Sequence, residues 1–355
     1  MSRRPWTPAD LVPNAPLAFS RPTELMNLLH SKAIRTGVAF AISGGLLWFT
    51  LHGLDVRELE RVLQSSSVTW IGVSLALYWL EVAVRAMRWR MLLRPLAALT
   101  SGQVLLSLVI GYAANNALPA RLGELFRAHF LGKRYGVSRS AAMATIVVER
   151  LLDVVAVLAC AAVGLAVMTG DGDQATLSGT RSNIVTGLVV ATVVALVLVL
   201  ALYALAAYGR TAVKRGSVRL QQVFASALAG LQPASRPGQL LSLIAASVLV
   251  WVCNGLSMAA ILLAVGIHPS APTVALLLGV AGIAAALPAA PANLGTLQYA
   301  FIVSLGAAGH AAAPAFAAAT LVQVFLLGSV TLAGALLYAA KSGRPTRAGD
   351  MHVSH

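Results

Sequence analysis

Charge is what this chain has least of. Asp, Glu, Lys and Arg make up 11% of its 355 residues, against about 25% in an average water-soluble domain. Between 240 and 340 there is none at all. A stretch that long without an ionised side chain cannot clothe itself for water, so a soluble globular domain is excluded and a membrane protein is expected. Aromatic residues are also few, at 6%. Ala, Leu, Val and Gly fill the apolar runs, and the small ones let helix backbones approach closely in lipid. The two cysteines, Cys160 and Cys253, lie in separate apolar runs without His or Cys at ligand spacing. That excludes a zinc site or disulfide framework and leaves two small buried hydrophobes. Residues 1–32 lack the apolar core of a cleavable signal peptide and carry Arg3, Arg4, Arg21, Lys32 and several prolines. They are expected to form a cytoplasmic tail, the first apolar run acting as an uncleaved anchor.

What charge there is leans positive: 26 Lys and Arg against 12 Asp and Glu, a net +14. No basic folded domain is available to carry nucleic acid, so no nucleic-acid partner is expected. The better account is loop asymmetry. Segments of about 20 apolar residues cross the hydrocarbon, and candidates run at 33–52, 68–87, 101–118, 140–168, 182–208, 240–266, 273–290 and 314–340, with a further run at 296–308. Two are broken by proline and glycine, at Asn116–Leu118–Pro119–Arg121–Gly123 and at Pro288–Pro291–Asn293–Gly295. Treating 101–131 and 273–308 as re-entrant hairpins puts the N-terminal tail, Arg88/Arg90/Arg94, Lys133/Arg134/Arg139, Arg210 to Arg236 and Lys341/Arg344/Arg347 on one side. The positive-inside rule then makes both termini cytoplasmic.

The expected fold is therefore all-α and membrane-embedded: about six full transmembrane helices plus two proline-broken re-entrant hairpins, arranged as an inverted repeat. The expected boundaries are a tail at 1–32, a membrane domain at 33–340 and a cytoplasmic tail at 341–355. A basic amphipathic linker at 209–239 is expected along the inner membrane surface. The two breaks resemble each other, Ala117-Leu118-Pro119-Ala120 then Leu122-Gly123 against Ala286-Leu287-Pro288-Ala289 then Leu294-Gly295. Broken helices at matching places in two oppositely oriented halves mark midplane binding sites in transporters, whereas two unrelated proline kinks would mark nothing.

The charges that remain inside apolar segments all fall in the first half. Arg121, Glu124 and Arg127 repeat every three residues after Pro119, and Glu149, Arg150 and Asp153 sit early in the span 140–168. Each costs about 2.5–3.5 kcal/mol at a helix centre, so each needs a partner, water or a use. Residues three or four apart share a helix face, so the two sets can meet with signs nearly balanced. An arginine not wholly satisfied by carboxylates grips two phosphate oxygens with its planar fork, and an open helix start after Pro119 adds unpaired N–H groups. The alternative is a salt-bridge network that only fixes packing. Glu81 and Arg85, at i,i+4, are read mainly as structural, with Arg85, Arg88 and Arg90 approaching the membrane surface and snorkelling. Asn254, Gln298 and Gln323 are read as helix-to-helix hydrogen bonders, and His310 as incidental.

The run Asn116-Ala-Leu-Pro119-Ala-Arg121-Leu-Gly123-Glu124-Leu-Phe-Arg127, followed by Glu149-Arg150-Leu-Leu-Asp153, resembles the lysylphosphatidylglycerol synthase transmembrane-region family, also called flippase-like domain proteins. Arg88-Trp89 and the turn Pro288…Pro291-Ala292-Asn293-Leu294-Gly295 fit as well, and the resemblance covers about 35–340. It implies a polytopic lipid-handling protein. Some relatives fuse this region to a cytosolic aminoacyltransferase domain, which the chain ending at His355 is not expected to carry. Many relatives have a glutamate shortly after the late glycine, where this chain has Gln298.

The leading expectation is a lipid or lipid-linked-sugar flippase of the bacterial inner membrane. Arg121, Arg127 and Arg150 would bind an anionic lipid headgroup, Glu124, Glu149 and Asp153 would orient them, and the tips at Asn116, Pro119, Gly123, Pro288, Pro291, Asn293, Gly295 and Gln298 would gate access. Neither a metal nor a cofactor is expected. Two alternatives stay open: a membrane transferase acting on a polyprenyl phosphate or phospholipid, and an accessory subunit of an envelope-biosynthesis complex. A homo-oligomer is compatible with all three.

Overall fold

The computed structural model describes residues 55–117, 123–168, 186–195, 237–286 and 290–342, together with the isolated helical residues 44, 45, 47, 48, 52, 197 and 201. The expected tails, the linker and most of the spans at 33–52 and 182–208 lie outside these, as do Pro119, Arg121 and Pro288.

The described residues are helical, with no strand among them. In chain order they form α1 (Val56–Gln64), α2 (Val68–Leu93), α3 (Ser101–Ala117), α4 (Gly123–Tyr135), α5 (Arg139–Val167), α6 (Pro237–Ala264), α7 (Ala271–Ala286), a single turn at Pro291–Asn293, α8 (Thr296–Ala307), α9 (Ala312–Leu321) and α10 (Gly328–Ser342). A π-helical segment, Val322–Leu327, joins α9 to α10 in one continuous helical run. Three of the described helices are long and apolar enough to cross a membrane: Val68–Leu93, Gly238–Ala264 and the continuous run Ala312–Lys341. Helix α5 has 29 residues, about 43 Å at 1.5 Å per residue, and carries Glu149, Arg150 and Asp153 in its middle.

One helix was not anticipated. The stretch after His52 reads as a charged loop, yet Asp55 caps a short helix there, accepting from the Arg57 and Glu58 amides at 2.9 and 3.4 Å. Its Leu59 and Val62 pack under the bundle while Glu58, Glu60 and Arg61 face out. The alternation of period three to four was present in Val56-Arg-Glu-Leu59-Glu-Arg-Val62, but the segment is too short to register as a span.

Close helix approach relies on small residues. Helices α2 and α6 clasp through Ser74 and Ser257, each hydroxyl donating to the other residue's carbonyl at 2.8 and 3.0 Å with both side chains fully buried. Helices α5 and α7 meet at glycines: a β-carbon on Gly279 would lie 2.5 Å from the Ala161 backbone, and one on Gly164 would lie 2.4 Å from the Leu276 amide. Helices α3 and α4 run antiparallel. The start of α4 lies against the end of α3, where a β-carbon on Gly123 would meet the Gly111 carbonyl. The end of α4, Arg134 and Tyr135, sits beside the start of α3 at Gly102 and Gln103.

The apolar interior falls into two clusters. One gathers Trp89, Leu92, Leu108, Leu131 and Ile146, mostly from the first half. The other gathers Ile261, Leu277, Phe301, Ala318 and Leu326 from the second. Tyr78 packs against both, and beside it lies a cavity.

Candidate functional site

The ionised side chains expected inside the membrane do meet, but around a different centre from the one the sequence suggests. Helix α5 presents Glu149 and Asp153 toward α2, and the guanidinium of Arg88 lies between them. Its Nη1 donates to Asp153 Oδ1 at 2.9 Å and to Ser247 Oγ of α6 at 3.1 Å, and its Nη2 lies 3.4 Å from Glu149 Oε1. Arg85, one turn earlier, donates Nε to Glu81 Oε1 at 2.7 Å and Nη1 to Asp153 Oδ2 at 3.2 Å. Asn254 of α6 donates to the same Glu81 oxygen at 3.1 Å.

This corrects the expectation that Arg85 and Arg88 snorkel to the surface. Arg88 is 0% exposed and Arg85 8%. The physical reason is length: α2 continues without interruption to Leu93, so both arginines lie a turn or more inside its end. Their spacing, Glu81, Arg85, Arg88, of four and three residues, was the signal that they share one face with Glu81.

Arg127 of α4 is held apart from the others. It donates Nη2 to Glu149 Oε2 and stacks on the indole of Trp89, its guanidinium carbon 3.5 Å from the ring centre. Trp89 in turn donates Nε1 to Thr145 Oγ1 at 3.0 Å. The guanidinium is thus pressed on an indole and bonded to a carboxylate, while its Nε is buried without a hydrogen-bond partner. Arg127 thus belongs to the scaffold of the site, and Trp89, absent from the sequence-based set, is its partner.

Arg150 is different. Its Nη2 lies 3.2 Å from both Glu149 Oε1 and Asp153 Oδ2, and its Nε lies 3.5 Å from Glu124 Oε1. Yet 38% of its side chain remains exposed, as does 32% of that of Glu124. Both open into the cavity beside Tyr78, which has a volume of about 230 Å³. Its wall also includes Glu81, Arg85, Tyr112 and Asn115. Among the described residues four arginines (85, 88, 127, 150) face four carboxylates (81, 124, 149, 153), so their formal charges balance and the burial cost is limited.

Residues flanking both helix breaks line this cavity. Asn116, at the end of α3, lines it and donates Nδ2 to Thr331 Oγ1 at 2.9 Å. From the second break Ala292 and Asn293 line it, both with φ of 55°, followed by Gly295 at 79°. The left-handed conformation is costly for alanine, and hydrogen bonds hold it: Gln323 donates Nε2 to the Ala292 carbonyl at 3.1 Å, and Gln298 donates Nε2 to Gln323 Oε1 at 2.6 Å. Gln298 also accepts from the Gly295 amide at 2.9 Å. Gln323 stands in the π-helical segment, and Leu327 at its end lines the cavity. Such irregular turns recur at functional sites.

Of the headgroup and hairpin-tip residues expected from the sequence, Glu124, Arg150, Asn116 and Asn293 reach the cavity, as do Glu81 and Arg85, read there as mainly structural. Arg127, Glu149 and Asp153 stand behind it, Gly123 packs its backbone against α3, Gln298 braces the second turn, Pro291 opens that turn, and Arg121, Pro119 and Pro288 lie outside the described residues. Tyr78, Tyr112 and Asn115 were not anticipated, because uncharged polar residues in an apolar helix carry no signal of what they face. Among the described residues no group of three or more His, Cys, Asp and Glu side chains is placed to hold a metal ion.

An all-helical bundle with spanning helices and a balanced charge cluster in its interior defines a multi-pass membrane protein. The chain belongs to the family described as the lysylphosphatidylglycerol synthase transmembrane region, whose model matches residues 37–334. It is similar to the glycosyltransferase AglD of Haloferax volcanii, at 25% identity over 328 residues that cover 81% of this chain and 51% of that protein. The chain thus spans about half the length of that relative. No solved structure matches.

Proposed function

We propose that the protein moves a lipid with an anionic headgroup, a lipid-linked sugar or a phospholipid, across a bacterial inner membrane, with the headgroup bound in the cavity beside Arg150. The observation that carries this reading is that Arg150 keeps over a third of its side chain open to a cavity lined by residues flanking both helix breaks. Its neighbours Arg88 and Arg127 are buried against carboxylates and Trp89 and do not line that cavity. A guanidinium presented at such a cavity meets phosphate oxygens in pairs, while Tyr78, Tyr112, Asn115 and Asn293 offer hydrogen bonds to a sugar or glycerol.

The fold reading that accompanies it is of about six full spans and two re-entrant hairpins of inverted orientation, with both termini cytoplasmic. It is supported by the lengths of α3 and α4, 17 and 13 residues, about 25 and 20 Å, each short of a hydrocarbon core of about 30 Å. Their antiparallel packing, and the pairing of α7 with α8 across the second break, give the same support. Irregular backbone at membrane depth is tolerated where it lines a cavity. The sugar branch gains support from the similarity to a protein named as a glycosyltransferase, although the matched part is only about half of it.

The test is reconstitution of the full chain into liposomes containing fluorescent phospholipids or a polyprenyl-phosphate sugar, scored by dithionite or lectin access, for wild type and Arg150→Ala. Headgroup-selective movement lost in a folded Arg150→Ala protein is the expected result. Movement unchanged in that variant would remove the site from this cavity. Covalent change of the lipid that needs a divalent metal would assign the transferase role instead. No movement of either lipid class would favour an accessory subunit.

A further inference from the structure

At the opposite end of the α3–α4 pair from the chain break lies a second cavity, of about 570 Å³, which shares no residue with the first. This is within the range of about 300–1,000 Å³ typical of small-molecule sites. Its inner wall is apolar, with Trp79, Leu105, Val109 and Leu337. Its rim carries Arg134 at the end of α4 and Lys341 at the end of α10. Arg134 donates Nη1 to the Lys341 carbonyl at 3.1 Å, which ties the two helix ends together and brings both cations to one side. Arg90 stands close by, donating to the Leu99 carbonyl at 2.8 Å and to Ser101 Oγ at 3.2 Å at the start of α3.

The electrostatics differ from those of the central cavity. There, each arginine meets carboxylates. Among the described residues no carboxylate lines the wall here, and neither Arg90, Arg134 nor Lys341 forms an ion pair with any of them. A pocket with uncompensated cations at the rim and an apolar interior fits a ligand with an anionic head and a hydrocarbon tail. Free phosphate would leave the apolar wall uncovered. Basic pockets between membrane helices on the basic side of a bundle are where anionic lipid headgroups bind.

We propose that this cavity is a dedicated site for an anionic glycerophospholipid of the adjacent leaflet, with its phosphate between Arg134 and Lys341 and an acyl chain along Leu105, Val109 and Leu337. The bound lipid fastens α10 to the α3–α4 pair. The site uses none of the central residues and does not rest on the transport reading.

Trp79 in the wall reports occupancy. The full chain is reconstituted in phosphatidylcholine vesicles with equal fractions of acyl-brominated phosphatidylglycerol or acyl-brominated phosphatidylcholine. The quenching absent from Trp79→Phe is assigned to Trp79. Brominated phosphatidylglycerol is expected to quench this component at lower fractions. Arg134→Gln with Lys341→Gln should cut the preference about five-fold per cation removed. Should the double variant fail to fold, Gly102→Leu decides, because a β-carbon there meets nothing within 4 Å and the added side chain intrudes on the apolar wall with the charges untouched. Equal quenching by the two lipids in wild type would overturn the proposal. So would a preference that survives undiminished in Gly102→Leu or in the folded double variant.

Discussion

Arg88 of α2 and Asp153 of α5 meet at 2.9 Å in the interior of the bundle although 65 residues separate them in the chain. The contact fixes the rotation of α5 about its own axis. With Asp153 on Arg88, Glu149 one turn earlier reaches both Arg88 and Arg127, and Arg150 is turned toward the cavity. One buried ion pair thus sets which arginine is left for a ligand.

The first prediction concerns that pair. Arg88 is 0% exposed and bonded to Asp153 and Ser247, so Arg88→Leu leaves Asp153 and Glu149 short of a counter-charge in a dry interior. Removing one partner of a buried pair costs about 3–5 kcal/mol. Thermal unfolding of the purified variant in nanodiscs is expected to show a loss of that size. A melting point equal to wild type would mean that water reaches the cluster.

The scaffold was more legible in the sequence than the site. The runs at 68–87, 101–118, 240–266 and 314–340 correspond to α2, α3, α6 and the joined α9 and α10, because an unbroken apolar segment in lipid has little choice but helix. The i,i+3 relation of Arg150 and Asp153 was also readable, since it is set within one helix. Arg88 and Trp89 were not, because their partners Asp153 and Arg127 lie on other helices and nothing local says which helices touch. Only the Glu81, Arg85, Arg88 spacing hinted that α2 carries a charged face rather than a snorkelling end.

Arg150 is expected to separate stability from function. Its side chain is 38% exposed, and screening limits such pairs to at most about 1 kcal/mol. Arg150→Lys should therefore unfold close to wild type, yet move lipid poorly, since an ammonium cannot match the two-point contact of a guanidinium. Both readings come from one preparation, a melting curve and a liposome assay. Full transport by Arg150→Lys would show that charge alone suffices there.

Gln298 braces the second break from both sides, accepting from the Gly295 amide and donating to Gln323. Gln298→Leu strips both, and a buried donor left unpaired costs about 1–3 kcal/mol. The expected result is a destabilisation of that order. Combined with Gln323→Leu, which frees the Ala292 carbonyl, the losses should fall short of the sum, since the two share one bond. Strict additivity would separate the two glutamines energetically.

Gly279, at the contact of α5 and α7, and Gly72 in α2 give the sharpest contrast, because the same substitution has opposite signs at the two places. A β-carbon on Gly279 would lie 2.5 Å from Ala161 backbone atoms, which no side-chain rotation relieves. Gly279→Ala must push the helices apart and is expected to cost about 1–3 kcal/mol. In α2, a β-carbon on Gly72 meets nothing within 4 Å, so Gly72→Ala gains only the backbone preference for alanine, up to about 1 kcal/mol. Melting curves of the two variants should thus move in opposite directions. Helix α5 carries Glu149, Arg150 and Asp153, so a displaced α5 also shifts Arg150 relative to the cavity, and Gly279→Ala is expected to lose transport where Gly72→Ala retains it. If both variants melt alike, the α5–α7 contact is looser than the close approach of Gly279 and Ala161 requires.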